Sequence, residues 1–249
     1  MQSSPYTKAG LHRFLFTLES SPSDFVTIYL TPASFPDYIK SLTPTQKYAS
    51  LFMEIKQAAS TEAVTDAVKK YGTGAVIFWS RIDKHILLPP FPVTANRLSE
   101  GKLDLSLLHQ ALNRKYLVGV VMMTWGWYAL GMFDGDDLVD SKIGTGYIHK
   151  RHKKGGRSQK RFARRTEEQK KDFLRRVGNH IEERFGSYLP DFIFFGGNRL
   201  ILKPLIQESR YLQARTDRIS PRILDVRYAD REALSGSPAE INRSLVFTF

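Results

Sequence analysis

Phe173, Val177, Ile181 and Phe185 recur every four residues, and only a helix puts them on one line, so residues leading up to Phe185 are predicted to form a long helix with a single apolar stripe. Three strand-like runs precede it, at residues 117–124, 127–133 and 138–148, with Gly126 and the pair Asp134 and Gly135 as turn residues. Short turns of this chemistry join antiparallel neighbours, so the three runs read as a meander. After the helix come a strand at 192–195, a helix starting near Asn198, a strand at 223–226 and a last helix opened by Ser237 and Pro238. The order β-β-β-α-β-α-β-α describes an α/β fold whose mixed sheet begins antiparallel and ends in parallel crossovers covered by helices.

The residues before this block are an N-terminal α/β portion, assigned to 1–115, with 116–249 as the second domain and the boundary near Lys115. Two strand-like runs are expected at 11–18 and 25–30. Thr43, Pro44 and Gln46 have the order of an N-cap, a first helical position and a capping-box partner, which predicts a helix over 44–58. A second helix is capped by Ser60 and closed by Gly72. It leads into apolar runs at 75–79 and 85–88, which Pro89, Pro90 and Pro92 terminate, and residues 105–112 look like a third helix.

The 249 residues are 42% apolar, enough to fill a real core, and cysteine is absent, which excludes disulfides, thiolate catalysis and sulfur-ligated zinc. There is no apolar leader and no stretch of roughly 20 apolar residues, so a soluble, cytoplasmic protein without a membrane partner is expected. Net charge is +12, a field that attracts polyanions. Its location is more informative than its size. Residues 149–165, HKRHKKGGRSQKRFARR, carry nine Lys or Arg and no acid, and account for all but +3 of the excess.

That segment lies between the third strand of the meander and the long helix, as a basic loop held at both ends. Gly155 and Gly156 allow another chain to approach the backbone closely. With His149, Lys150, Arg151, His152, Lys153, Lys154, Arg157, Lys160, Arg161, Arg164 and Arg165 around them, the visitor is expected to be a phosphate backbone, since neutralising phosphates releases counterions. A solvated anion-binding tail is the plainer alternative, but tails seldom join a core strand to a core helix.

The stretch KKGGRSQKRFARR resembles the middle domain of eukaryotic and archaeal class-1 peptide release factors, where a Gly-Gly-Gln tip precedes Ser-Ala-x-Arg-Phe-Ala-Arg. Similarity extends to the strand and helix order from about Tyr116 to Phe249, a ribonuclease H-like topology. Arg157 falls where those factors have glutamine, and glutamine follows two residues later. Gly156-Arg157-Ser158-Gln159, preceded by His149 and Lys150, is similar instead to the Vms-like release factors of ribosome-associated quality control. The resemblance implies a peptidyl-tRNA hydrolase with Gln159 as the catalytic residue at the tip of the loop, Gly155 and Gly156 beside it, and a large ribosomal subunit and peptidyl-tRNA as partners. It implies a monomer with no metal and no cofactor.

An amide side chain both donates and accepts hydrogen bonds without charge, so it can aim a water at an ester among RNA phosphates. Other readings remain beside this one. His149 and His152 could act as an acid and base on RNA, which would make the chain a tRNA 3′-end nuclease. Asp134, Asp136, Asp137 and Asp140 could hold Mg²⁺, or simply form a turn. Trp125, Trp127 and Tyr128 could stack on bases or pack in the core. Arg215, Arg218 and Arg222 form either a secondary contact or a surface loop, and a non-catalytic ribosome-binding module would share all these features.

Overall fold

A run such as Ala75–Trp79, apolar at every position, needs cover on both faces. The computed structural model, which describes residues 1–35, 37–148 and 157–249, with the backbone alone for 157–160, supplies that cover. The first elements are β1 (Gln2–Tyr6), α1 (Lys8–Glu19), β2 (Val26–Leu30), α2 (Asp37–Ser41), α3 (Ala49–Ala59), α4 (Glu62–Tyr71), β3 (Ala75–Trp79), β4 (Lys84–Leu88), β5 (Arg97–Glu100) and α5 (Ser106–Asn113). A strand from the far end of the chain, β11 (Ser244–Thr248), completes a six-stranded antiparallel sheet in the order β1-β11-β4-β3-β2-β5. Successive side chains of a strand point to opposite faces. Ile28, Ile77 and Trp79 therefore pack with α2, α3 and α4, while Tyr29, Val76 and Phe78 pack with α1 and α5.

Several expectations change here. Residues 11–18 are helical: Leu11, Leu15 and Leu18 recur at helical spacing and are buried, and the Thr7 hydroxyl caps the helix by accepting from Gly10 N at 3.2 Å. The helix predicted from Pro44 begins later, with a 3-10 turn at Gln46–Tyr48 leading into α3. Thr61 rather than Ser60 caps α4, and Gly72 closes it in the left-handed region at φ 67°. Strands β1 and β5 were not predicted. Both are short, polar edge strands, so neither carries an apolar run.

The second set of elements is β6 (Leu117–Thr124), β7 (Trp127–Asp134), β8 (Asp137–Thr145), α6 (Arg157–Phe185), β9 (Phe192–Gly197), α7 (Arg199–Glu208), α8 (Arg210–Gln213), β10 (Ile219–Leu224) and α9 (Arg231–Ile241). Their sheet has the order β10-β9-β6-β7-β8, antiparallel from β6 to β8 and parallel from β6 through β9 to β10. The predicted mixed α/β architecture is present. Phe173, Val177, Ile181 and Phe185 of α6 are buried with Val121, Leu130 and Ile193 of the sheet. Gly131 leaves room for α9 on the sheet, since a Cβ there would stand 2.8 Å from Leu234 Cδ1.

By their contacts the residues divide into Met1–Arg114 with Ala239–Phe249, and Lys115–Pro238. The second domain, expected to run to residue 249, thus loses its C-terminal end, because the apolar positions of β11 pair between β1 and β4. Helix α9 starts at Arg231 instead of at Ser237, capped by Asp230, whose Oδ1 accepts from Ala233 N at 2.9 Å, and Pro238 lies within the helix. Among the described residues, no helix is long and apolar enough to cross a membrane.

The stripe on α6 makes a stability prediction. Ile181→Ala should cost about 2–5 kcal/mol in urea unfolding, because it empties a fully buried site. Arg175→Ala, on the solvated face, should stay within about 0.5 kcal/mol.

Candidate nucleic-acid interface

Strand β8 ends at Thr145 and α6 begins at Arg157, so these two elements are the roots of the basic segment. His149, Lys150, Arg151, His152, Lys153, Lys154, Gly155 and Gly156 lie outside the described residues, as do the side chains of Arg157 and Gln159 to Lys160. The backbone of 157–160 is helical. The loop expected to reach Arg165 is therefore shorter, and Gln159 lies in the first turn of α6 rather than at a loop tip. Residues 157–165 contain no glycine or proline and several strong helix formers, so the helix extends toward the glycine pair.

None of the described residues of α6 before Phe173 is fully buried. At 1.5 Å per residue, about 24 Å of helix precedes the stripe that anchors it. Arg161 and Arg165 are exposed and make no ion pair with a described residue, whereas Arg164 Nε pairs with Glu168 Oε1 at 2.9 Å. Farther along, Lys170 Nζ pairs with Glu167 at 2.8 Å and Arg175 with Asp172 at 2.7 Å. Lys171 and Arg176, four residues after Glu167 and Asp172, take no part in these two pairs. Arg176 is instead turned to the sheet, where its Nη2 donates to Thr145 O at 3.2 Å. Exposed pairs of this kind contribute little stability. Their consequence is local: charge is balanced beyond Glu167 and left unbalanced at the start of the helix.

Between the first half of α6 and the adjoining ends of β7 and β8 lies a cleft of about 820 Å³. Its walls are Trp125, Gly126, Trp127, Thr145, Gly146, Tyr147 and Ile148 on one side and Ala163, Thr166, Glu167 and Lys170 on the other. Gly126 is needed in the floor: it takes φ 92° in the two-residue turn from β6 to β7, and its carbonyl accepts from Gly146 N at 2.8 Å. Lys170 Nζ sits 5.0 Å from the centre of the Trp125 ring, and Trp127 is 52% exposed. Tyr128 points the other way. It is buried, stacks on His180 at 5.7 Å, and burial pushes its hydroxyl above the ordinary tyrosine range. Of the three aromatics weighed for base stacking, Tyr128 is thus core and the two tryptophans belong to the cleft. On the helix backbone Gln159 stands four residues before Ala163, on the row that continues along the cleft to Thr166 and Lys170.

The remaining charged candidates lie in a turn, in ion pairs or within the packing of the fold. Asp134 and Asp137 flank the turn at Gly135, which takes φ 63°, and Asp140 faces Arg184 at 3.6 Å. The described residues contain no group of three or more metal-ligating side chains. Arg215 stacks on Tyr211 at 3.8 Å and Arg218 donates to Pro190 O at 2.6 Å, so these two hold the irregular stretch after α8 together, while Arg222 is buried within β10.

A mixed five-stranded sheet, with a cationic helix rising behind a Gly-Gly pair, defines a release-factor-like domain. Residues 116–246 match the family described as the Actinobacteria/chloroflexi VLRF1 release factor. That is more than half of the chain, and the chain belongs to this family, the one its basic segment resembles. Among curated proteins, peptide chain release factor subunit 1 of Picrophilus torridus is 23% identical over 192 residues, covering 71% of this chain and 47% of that protein. The same factor of Methanosphaera stadtmanae is 28% identical over 106 residues, 42% of this chain and 26% of that protein. The chain thus spans less than half the length of these relatives. Among solved structures, the archaeal translation termination factor aRF1 aligns with 95% of this chain and 73% of its own at 17% identity and a TM-score of 0.37. Archaeoglobus fulgidus Pelota aligns with 96% of this chain and 62% of its own, at 7% and 0.30.

The cleft floor yields a prediction of its own. Gly126→Ala should destabilise the fold by about 1–3 kcal/mol, since a side chain is strained at that φ and its Cβ would stand 2.9 Å from Gly146 O. Thermal unfolding of the two proteins side by side measures this.

Proposed function

We propose that the chain is a peptidyl-tRNA hydrolase that frees nascent chains from stalled large ribosomal subunits, with Gln159 positioning the attacking water. In this reading the water oxygen attacks the carbonyl carbon of the ester between peptide and terminal ribose, and the ester C–O bond breaks. The peptide leaves as an acid, and the proton lost by water ends on the ribose oxygen. The Gln159 amide transfers no proton; it orients the water by donating and accepting hydrogen bonds. Backbone amides near Gly156, at the open start of a helix, are the candidate donors to the oxyanion.

The observation that carries this reading is the helical backbone at Gln159, three residues after Gly156 in the sequence and in the first turn of a helix whose far half is locked in the core. The helical backbone at this position is carried by an element whose anchoring residues begin at Phe173. Membership of a release-factor family supports the same reaction class. The cations of residues 149–165 would hold ribosomal RNA and tRNA through their phosphates, with the protein acting as a monomer in the cytoplasm and without a cofactor.

Gln159→Ala should abolish release in a single-turnover assay with peptidyl-tRNA on isolated large subunits, while co-sedimentation with those subunits stays nearly unchanged; equal loss of both would overturn a catalytic role. End-mapping of the product tRNA should find the terminal adenosine in place, whereas a shortened tRNA would mean nuclease chemistry. Replacing Lys153, Lys154 and Arg157 together with alanine should weaken subunit binding and lower the slope of log affinity against log salt by about 2–3.

A further inference from the structure

We infer that the cleft under the start of α6 holds an unpaired nucleobase of the RNA that the basic segment contacts, with Trp127 as its stacking surface. This rests on the RNA partner proposed above and adds a base-binding subsite to it. The cleft volume of about 820 Å³ lies within the roughly 300–1,000 Å³ of pockets that enclose small ligands. Its surface is aromatic and open: Trp127 is 52% and Tyr147 76% exposed.

Core packing does not account for this exposure. In β7 the residue that fills the core is Tyr128, and the alternation of the strand leaves Trp127 outside it. A flat π-face at that position suits a flat partner. Polar groups stand at the edge of the cleft. Lys170 is held by Glu167 at 2.8 Å with its ammonium over Trp125, and the Thr166 hydroxyl, which donates to Phe162 O at 3.0 Å, has acceptor capacity to spare.

Charge selects among flat or apolar occupants. The two walls, residues 145–148 and 163–170, continue in the chain directly into the segment with nine cations and no acid. Arg161 and Arg165, beside the cleft wall on α6, have no acidic partner among the described residues. An apolar peptide would satisfy the rings but not this field. A single-stranded nucleotide satisfies both, with its phosphate on the cations and its base in the cleft. Stacking reads a π-face that every base has, so the subsite should have little sequence preference.

The test compares a short oligoadenylate with an abasic ribose-phosphate chain of the same length, using the full chain and its tryptophan fluorescence. Oligoadenylate should quench the fluorescence and bind about ten-fold more tightly than the abasic chain. Trp127→Ala should remove most of that advantage without changing affinity for the abasic chain, and Trp127→Phe should restore part of it. Circular dichroism of each variant checks that it folds. Equal binding of the two chains, an equal loss of both in Trp127→Ala, or displacement of oligoadenylate by an apolar peptide at lower concentration would overturn the proposal. Base-specific chemical probing of large subunits then assigns the source. Protection that needs bound tRNA marks the tRNA end, protection on empty subunits marks ribosomal RNA, and none in either overturns the subsite. No ester is involved in the fluorescence measurement, so failure of the hydrolase reading leaves it intact. Conversely, Gln159-dependent release without base-dependent binding removes the cleft alone.

Discussion

Phe173, Val177, Ile181 and Phe185 are buried against the five-stranded sheet, and that grip holds the whole N-terminal half of α6 in place. A helix nucleates poorly by itself in water, and most of its stability in a protein comes from tertiary packing of its apolar face. Here, among the described residues, the fully buried positions lie entirely in the second half. The first half, with Arg161, Arg164 and Arg165, inherits its direction from the second and is free to be cationic. Without the stripe, the charge that this segment concentrates would favour an extended, self-repelling chain.

The same division of labour runs through the sheet. Register between β6, β7 and β8 sets Tyr128 into the core beside His180 and Phe173, and leaves Trp127, one residue earlier, at the cleft. A slip of one residue would exchange them. The turn at Gly126 fixes that register by adopting a backbone conformation suited to glycine, and its carbonyl ties down Gly146 where β8 ends. Core and cleft are thus two sides of one strand pairing. Lys170 joins them to the helix by lying over Trp125 while paired with Glu167.

Much of this was legible in the chain because its signals are local. The four-residue spacing identified α6 to its last residue, and the turn glycines placed both turns of the meander within one residue, although β8 ends at Thr145, three residues before its expected end. Legibility failed where a pattern was ambiguous or the cause was distant. Residues 11–18 read as a strand because short apolar runs suit either state, and Thr7, which caps the helix, stood outside the run. Ser237 and Pro238 carry a helix-start signature, yet Asp230 had already capped α9. Trp125 and Trp127 were recognisable as stacking candidates, but Thr166, Glu167 and Lys170 were not recognisable as the opposite wall.

The sequence by itself determined the mixed sheet, the anchored helix, and the concentration of positive charge around Gly155, Gly156 and Gln159, since periodicity and charge are properties of neighbouring residues. Tertiary structure decided that β11 leaves the second half to pair with β1 and β4, and that two tryptophans face a lysine across a cleft. Both depend on residues far apart in the chain meeting through strand register and helix packing, and no local pattern encodes which distant surface a residue will face.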